Sequence, residues 1–288
     1  MIEDFKIYLL ETGKVTSKMT IESYLGNTKQ LLLWLSNETA DLKSLDRMVM
    51  LRYLEHLRDK GYKANTYNTK INSITNFSSY LKDKGIIEKN IVFSKDKIGL
   101  SGNREVDVYT DDEMDLIEAY IENGNIDPRD SIMIKMLKEL GVRVSELTNL
   151  KLQDIDIIGL QVEVQGKNNK RRVLPMKSTL AERIRDYISK SRKDNKYADS
   201  PYLFVSERSS KLHRNTVLDV VKQMGLELGI EEAYCHKFRH TLATRMSRKG
   251  KVPIQVIQQF LGHAEIQTTI EYYIQIDKLE LINAIENI

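Results

Sequence analysis

Residues 160–175, LQVEVQGKNNKRRVLP, carry the change of period that decides the fold class. Leu160, Val162 and Val164 alternate with Gln161, Glu163 and Gln165, the two-residue repeat of a half-buried strand. Gly166-Lys167-Asn168-Asn169 supplies turn residues, and Arg172 to Leu174 resumes the extended pattern. The stretch reads as an antiparallel β-hairpin with strands near 160–165 and 171–175. Tyr202 to Val205 is a third short strand candidate.

On either side of the hairpin the period is helical. Ile21, Tyr24, Leu25, Thr28, Leu31, Leu32 and Leu35 form one stripe. Met48, Leu51, Leu54, His56 and Leu57 recur in a second stretch, and Ile71, Ile74, Phe77, Tyr80 and Leu81 in a third. With a short helix near 3–11, residues 1–85 read as a helical domain. Residues 86–106 lose any period and gain Ser94, Gly99, Ser101, Gly102 and Asn103, which reads as a linker. Helices resume at Asp112–Glu122, with Asp111 as N-cap, and at Asp130–Leu140. Beyond Asn215 the pattern is helical again, broken at Gly229, Gly250, Pro253 and Gly262. The expected fold is mainly α with a small antiparallel β-sheet, in two domains, 1–85 and 107–288.

Composition removes several classes. A chain of 288 residues with 41% apolar side chains has room for about two globular domains. The longest apolar run, Leu31 to Leu35, falls far short of the ~18 residues a membrane helix needs. Glu3, Asp4, Lys6 and Glu11 argue against a signal peptide, and the lone Cys235 excludes an internal disulfide. A cytoplasmic protein is expected.

Net charge is only +3, and the excess sits in residues 1–90. Lys60, Lys63, Lys70 and Lys82 have no acid between them and are interleaved with Tyr62, Tyr67, Phe77 and Tyr80. That pattern suits a solvated helix face or a surface that tracks phosphates.

Histidine is scarce, five residues, yet three lie between His236 and His263. His236 and His240 have the spacing of a zinc pair, but Lys237 stands where a zincin has glutamate, and no Cys or carboxylate cluster completes a site. Gly166-Lys167 does not make a phosphate loop, since Gln161 and Asn168 occupy the places of the first glycine and the Ser/Thr. No metal and no nucleotide cofactor is expected. Cations and a phenol remain: Arg143, Lys167, His236, Arg239, His263 and Tyr272.

Four fragments carry these residues: LGVRVSELTNLKLQDID, GKNNKRRVLPM, HKFRHTLATRM and QQFLGHAEIQTTIEYY. Together they resemble the signature of the tyrosine recombinases, the phage-integrase and Xer-like family. The steps from Arg143 to Lys167 and from His263 to Tyr272 are those of compact Xer-like members. Residues 106–288 carry the resemblance strongly. TIESYLGNTKQLLLWL and ANTYNTKINSITNFSSYL are similar to helices of the family's core-binding domain.

The resemblance implies cutting and rejoining of double-stranded DNA at specific inverted-repeat core sites, through a 3′-phosphotyrosyl intermediate. Arg143 and Arg239 would clamp the scissile phosphate by charged, bidentate contacts. Lys167 would protonate the leaving 5′-oxygen, Tyr272 would attack, and His236 and His263 would complete the set. Glu146, one turn after Arg143, would orient catalytic groups. Tyr273 competes with Tyr272 for the nucleophile's place, and spacing favours Tyr272. The Lys60–Lys82 face becomes a DNA-contact surface, with Lys63, Thr66 and Lys70 as candidates, and the two domains would close around duplex DNA.

Compactness favours Xer-like or transposon cointegrate resolution. A phage or mobile-element integrase, a type IB topoisomerase and a non-catalytic DNA-binding regulator remain as alternatives. After Tyr272, Asp277 can N-cap a helix bearing Leu279, Leu281, Ile282, Ile285 and Ile288. Such a tail could pack on its own domain; the family implies docking on a neighbouring protomer, giving a homotetramer on nucleoid DNA.

Overall fold

A computed structural model describes residues 1–13, 15, 17–38, 42, 45–99, 106–123, 126–166, 169–248 and 251–262. The chain divides into two compact units, Met1–Gly102 and Asn103–Ile288.

The first unit holds α1 (Ile2–Glu11), α2 (Lys18–Asn37), α3 (Arg47–Asp59) and α4 (Ala64–Asp83). The α2 stripe buries Ile21, Thr28, Leu31 and Leu35 against α4, whose Ile71, Ile74, Phe77 and Leu81 are fully enclosed. Phe5 of α1 closes this core, edge-on to Phe77 with ring centroids 5.1 Å apart. Helix α4 is rich in Ser, Thr, Asn and Ile, poor helix formers. Thr69, Ser73, Thr75 and Asn76 each donate to the carbonyl four residues back, so packing and local side-chain bonds hold it.

Two expectations fail here. In α3 the inward face is Val49, Met50, Tyr53, Leu54 and Leu57, while Met48 is 66% exposed and Leu51 also faces out. Asp46 caps the helix through the Val49 N–H, and the larger continuous stripe Val49, Met50, Tyr53, Leu54 and Leu57 takes the core side, which turns Met48 outward. Lys70 is not a surface cation. It is buried, with its ammonium donating to Gln30 Oε1 and Asn27 Oδ1 and lying 4.7 Å from the Tyr62 ring, and burial lowers its pKa. Lys63 and Thr66 are exposed at the start of α4.

Residues 86–98 are not free linker. Ile87, Ile91 and Val92 are buried in the first unit's core. Arg47 forks onto Asp96 at 2.6 and 2.7 Å, and Asn68 pairs with both backbone groups of Ile98.

In the second unit, α5 (Asp111–Glu122) and α6 (Pro128–Leu140) start one and two residues earlier than the sequence suggested. Thr110 is the true N-cap of α5, in a reciprocal box with Glu113, and Asp127 precedes Pro128 at α6. Helix α6 is enclosed along nearly its whole length, so the unit is built around it. Then follow α7 (Val144–Asn149), β1 (Ile155–Asp156), β2 (Gln161–Gln165), β3 (Arg171–Pro175), α8 (Ser178–Ser189), α9 (Arg214–Leu228), α10 (Cys235–Arg248) and α11 (Ile254–Leu261).

The strands form one antiparallel sheet, β1-β2-β3, with Val162 opposite Leu174 and Val164 opposite Arg172. Leu160 is not in the strand. Pairing of Asp156 with Gln161 forces a tight turn in which Leu160 takes φ 51° and faces outward. Tyr202–Val205 is not a strand either. Only Tyr202 bridges, to Lys151, and the carbonyls of Ala198, Ser200, Tyr202 and Leu203 are taken by the buried guanidinium of Arg192. Among the described residues no helix is long and apolar enough to cross a membrane.

Candidate active site

Helix ends leave carbonyls without intrahelical partners and concentrate the negative end of the helix dipole. Two such ends meet in the second unit. Helix α6 stops at Gly141 (φ 58°) and α11 at Gly262 (φ 66°), both in the left-handed region that favours glycine. Three guanidiniums collect on their carbonyls. Arg239, from the first turns of α10, donates to Gly141 O at 2.7 Å and to Leu261 O. Arg143, which leads into α7, donates to Gly262 O at 3.1 Å. Arg172 of β3 donates through Nε to Phe260 O at 2.8 Å.

Glu146 faces this group from α7, its side chain 1% exposed. It accepts the Arg143 backbone N–H at 2.9 Å and Arg143 Nη1 at 2.8 Å. Burial raises its carboxyl pKa, but the hydrogen bonds and charge of Arg172, then Arg143, outweigh this and hold it below the ordinary range. Arg239 is buried at 2% exposure, whereas the Arg143 side chain stays 32% exposed. His236 lies exposed at the start of α10. Surrounding protein atoms, then Arg239 and Arg143, lower its pKa, which keeps the imidazole neutral near pH 7. His240 stacks edge-on against it with centroids 4.9 Å apart, and is lowered to about 4 by burial and then by the charge of His236.

Arg143, Glu146, His236 and Arg239 therefore share one positively charged site. Lys167, His263, Tyr272, Tyr273 and the segment 277–288 lie outside the described residues. The described chain neighbours of Lys167 and His263 are at this site: Gly166 donates its N–H to Lys170 O across the hairpin turn at 2.8 Å and packs against Glu146 Oε1, and Gly262 ends α11. Lys63 and Thr66 belong to the other unit.

Arg172 was missed by sequence reasoning. Its signal was legible: in the two-residue period it falls in phase with buried Leu174, opposite buried Val164, a charge on the inward face of a strand. Cys235 is buried beside Val217 O, and burial pushes its thiol up to about 12, so it behaves as a small hydrophobe. Among the described residues no three His, Cys, Asp or Glu side chains group as metal ligands.

Comparison with known proteins agrees with this layout. The Phage integrase family model matches residues 107–280, and the model of the phage integrase N-terminal SAM-like domain matches 2–85. A protein named tyrosine recombinase from Pseudothermotoga lettingae is 32% identical over 98% of this chain and 97% of its own. Tyrosine recombinase XerA from Pyrococcus horikoshii is 34% identical over 99% and 92%. The crystal structure of XerH site-specific recombinase bound to difH substrate superposes with TM-score 0.72 at 20% identity, covering 93% of this chain and 80% of that one, a likeness of fold.

Proposed function

Because the chain belongs to the phage integrase family, the tyrosine recombinases, we propose that it is a site-specific DNA recombinase of the Xer-like type. The observation that carries this is the gathering of Arg143, Arg239 and His236 around Glu146 at the joined ends of α6 and α11. A phosphodiester repels nucleophiles by its charge, and its pentacovalent transition state gathers more. Preorganised guanidiniums, fixed by protein carbonyls before DNA arrives, stabilise that charge without reorganising during the reaction.

In this reading the Tyr272 oxygen attacks the phosphorus while the bond to the 5′-oxygen breaks. Lys167 gives that oxygen its proton, a step of a kind that contributes about 10²–10⁴-fold. A phenol has a pKa near 10, so the cations around the phosphate, with His236 and His263, favour its ionised form. The phosphotyrosine conserves the ester, and attack by a 5′-hydroxyl reverses the step on a new partner strand. Neither a metal nor ATP takes part. Double-stranded DNA with inverted-repeat core sites is the substrate, and Lys63 and Thr66 contribute backbone contacts. The tail from Asp277 onward docks on a neighbouring protomer to build a homotetramer, and the protein works on nucleoid DNA. Relatives named tyrosine recombinase XerA, XerC and XerD match nearly the whole chain, which supports the Xer-like type, and within it the compact length favours resolution over integration.

The test is covalent trapping on a nicked duplex library with a randomised core, run in EDTA. The wild type yields an adduct, Tyr273→Phe keeps it and Tyr272→Phe loses it; the reverse pattern overturns the nucleophile assignment. Lys167→Ala is slow on normal DNA and rescued when sulfur replaces the 5′-bridging oxygen; equal loss on both overturns the acid. Relaxation of a supercoiled plasmid lacking the selected sites indicates a topoisomerase instead. A chain truncated after Lys278 binds half-sites singly and fails to recombine if the tail docks in trans.

A further inference from the structure

Glu146 poses an electrostatic problem. A carboxylate offers about four lone-pair sites, and all are used: two by Arg143 and two by Arg172, whose Nη1 and Nη2 lie 2.8 and 3.0 Å away. Paired with Arg143 alone, Glu146 would form a neutral ion pair, and a phosphate would have to compete with an internal anion for its own ligand. Low local dielectric makes that competition severe.

Arg172 changes the balance. Its side chain is only 13% exposed and its fork is spent on Glu146, with Nε on Phe260 O. Two guanidiniums against one carboxylate leave one positive charge, and the solvent-facing member of the trio is Arg143. Bare backbone makes room for this: a Cβ on Gly262 would fall 2.9 Å from Arg172 Nη1, and one on Gly166 3.4 Å from Glu146 Oε1. Arg172 is thus seated between the residues that lead into Lys167 and His263.

We propose that Arg172 is a positioning residue that neutralises Glu146, so that Glu146 orients Arg143 without cancelling the charge Arg143 offers to a phosphate. The inference rests on the recombinase reading. A buried arginine that only held the fold would be needed for stability alone, and its loss would lower the amount of folded protein without changing the rate at which folded molecules react. A charge-balancing arginine behaves differently, because once Arg172 is lost the harm comes from the unopposed carboxylate.

Single-turnover adduct formation on the nicked duplex library distinguishes the two. Arg172→Gln slows it about 10²-fold, as loss of orientation does elsewhere. Adding Glu146→Gln to that variant recovers roughly tenfold, since the anion is gone. Arg172→Lys keeps the charge but not the fork and falls between wild type and Arg172→Gln; there Glu146→Gln brings no gain. If the glutamine variant does not fold, the lysine pair alone decides: a gain from Glu146→Gln in the lysine background overturns the proposal. It is equally overturned if Arg172→Gln matches the wild type, or if the double variant is no faster than Arg172→Gln. Failure of the wild type itself to form an adduct overturns the recombinase reading and this inference with it, which separates the two failures.

Discussion

Lys237 reaches across to Asp107 at 3.0 Å, an ion pair that fixes the entering chain of the second unit to the helix carrying Arg239. The lysine is buried, its ammonium lying 4.8 Å from the ring centre of Tyr109. Tyr109 is pinned in turn, its N–H donating to Thr241 Oγ1 at 2.8 Å and its ring 4.7 Å from that of Phe238. The strap and the first turns of α10 form one packed body.

Lys237 is buried but its partner Asp107 is 38% exposed, so Lys237→Met leaves a carboxylate that water reaches and should destabilise the second unit by about 1–2 kcal/mol. Urea unfolding measures this. A change under 0.5 kcal/mol would show that the strap does not hold α10.

Gly262→Ala tests the end of α11. The residue sits at φ 66°, and its added Cβ would meet the Arg172 guanidinium. The expected loss is about 1–2 kcal/mol from backbone strain, with adduct formation falling further than stability explains. Equal melting temperatures for the variant and the wild type would refute the strain argument.

One imidazole and one carboxyl of the second unit, His240 and Glu146, contribute to the acid limb of stability. His240 is depressed to about 4, so the native state keeps it neutral while the unfolded chain protonates near 6.5. Its contribution is present above 6.5 and is lost as pH falls toward 4, amounting to no more than about 3 kcal/mol. Glu146, also depressed, adds stability above its unfolded value near 4.5 that disappears at still lower pH. His240→Gln should reduce the slope of unfolding free energy between pH 6.5 and 4, with a residual slope from His236, which is also depressed, and leave the limb below 4.5 steep. Parallel curves for the two proteins would contradict this.

Arg192 organises the 198–203 loop through four carbonyls, work that a strand partner would otherwise do. Arg192→Met should cost about 2–4 kcal/mol and release amide protection of Leu203 and Leu212, read by hydrogen exchange. Retained protection would mean that the loop holds itself.

The hairpin, the α2 and α4 stripes and the helix-breaking glycines were legible because each follows a local rule of period or backbone geometry. Met48 and Leu51 misled because apolar residues occupy more than one face of α3, and the face that carries Tyr53 with Val49, Met50, Leu54 and Leu57 is the one that packs inward. Tyr202–Val205 misled because an apolar run satisfied by a distant arginine looks like one satisfied by a ladder. Lys70 misled because a basic run says nothing about which lysine finds Gln30 and Asn27 across a helix interface. At the site, Arg143, His236 and Arg239 were found through motif spacing. Arg172 was passed over, since its partner Glu146 comes from another element and the pairing is tertiary.

Helix α11 has eight residues, below the length at which an isolated helix persists in water. Burial of Ile257 and Leu261 and the three guanidiniums at its end keep it wound. Fraying of its last turn therefore takes one carbonyl partner from each of Arg143, Arg172 and Arg239 at once, leaving the first two on Glu146 and the third on Gly141 O. One short helix end thus holds a shared set of carbonyls for three cations that come from three different elements, so the aim of each depends on the same last turn.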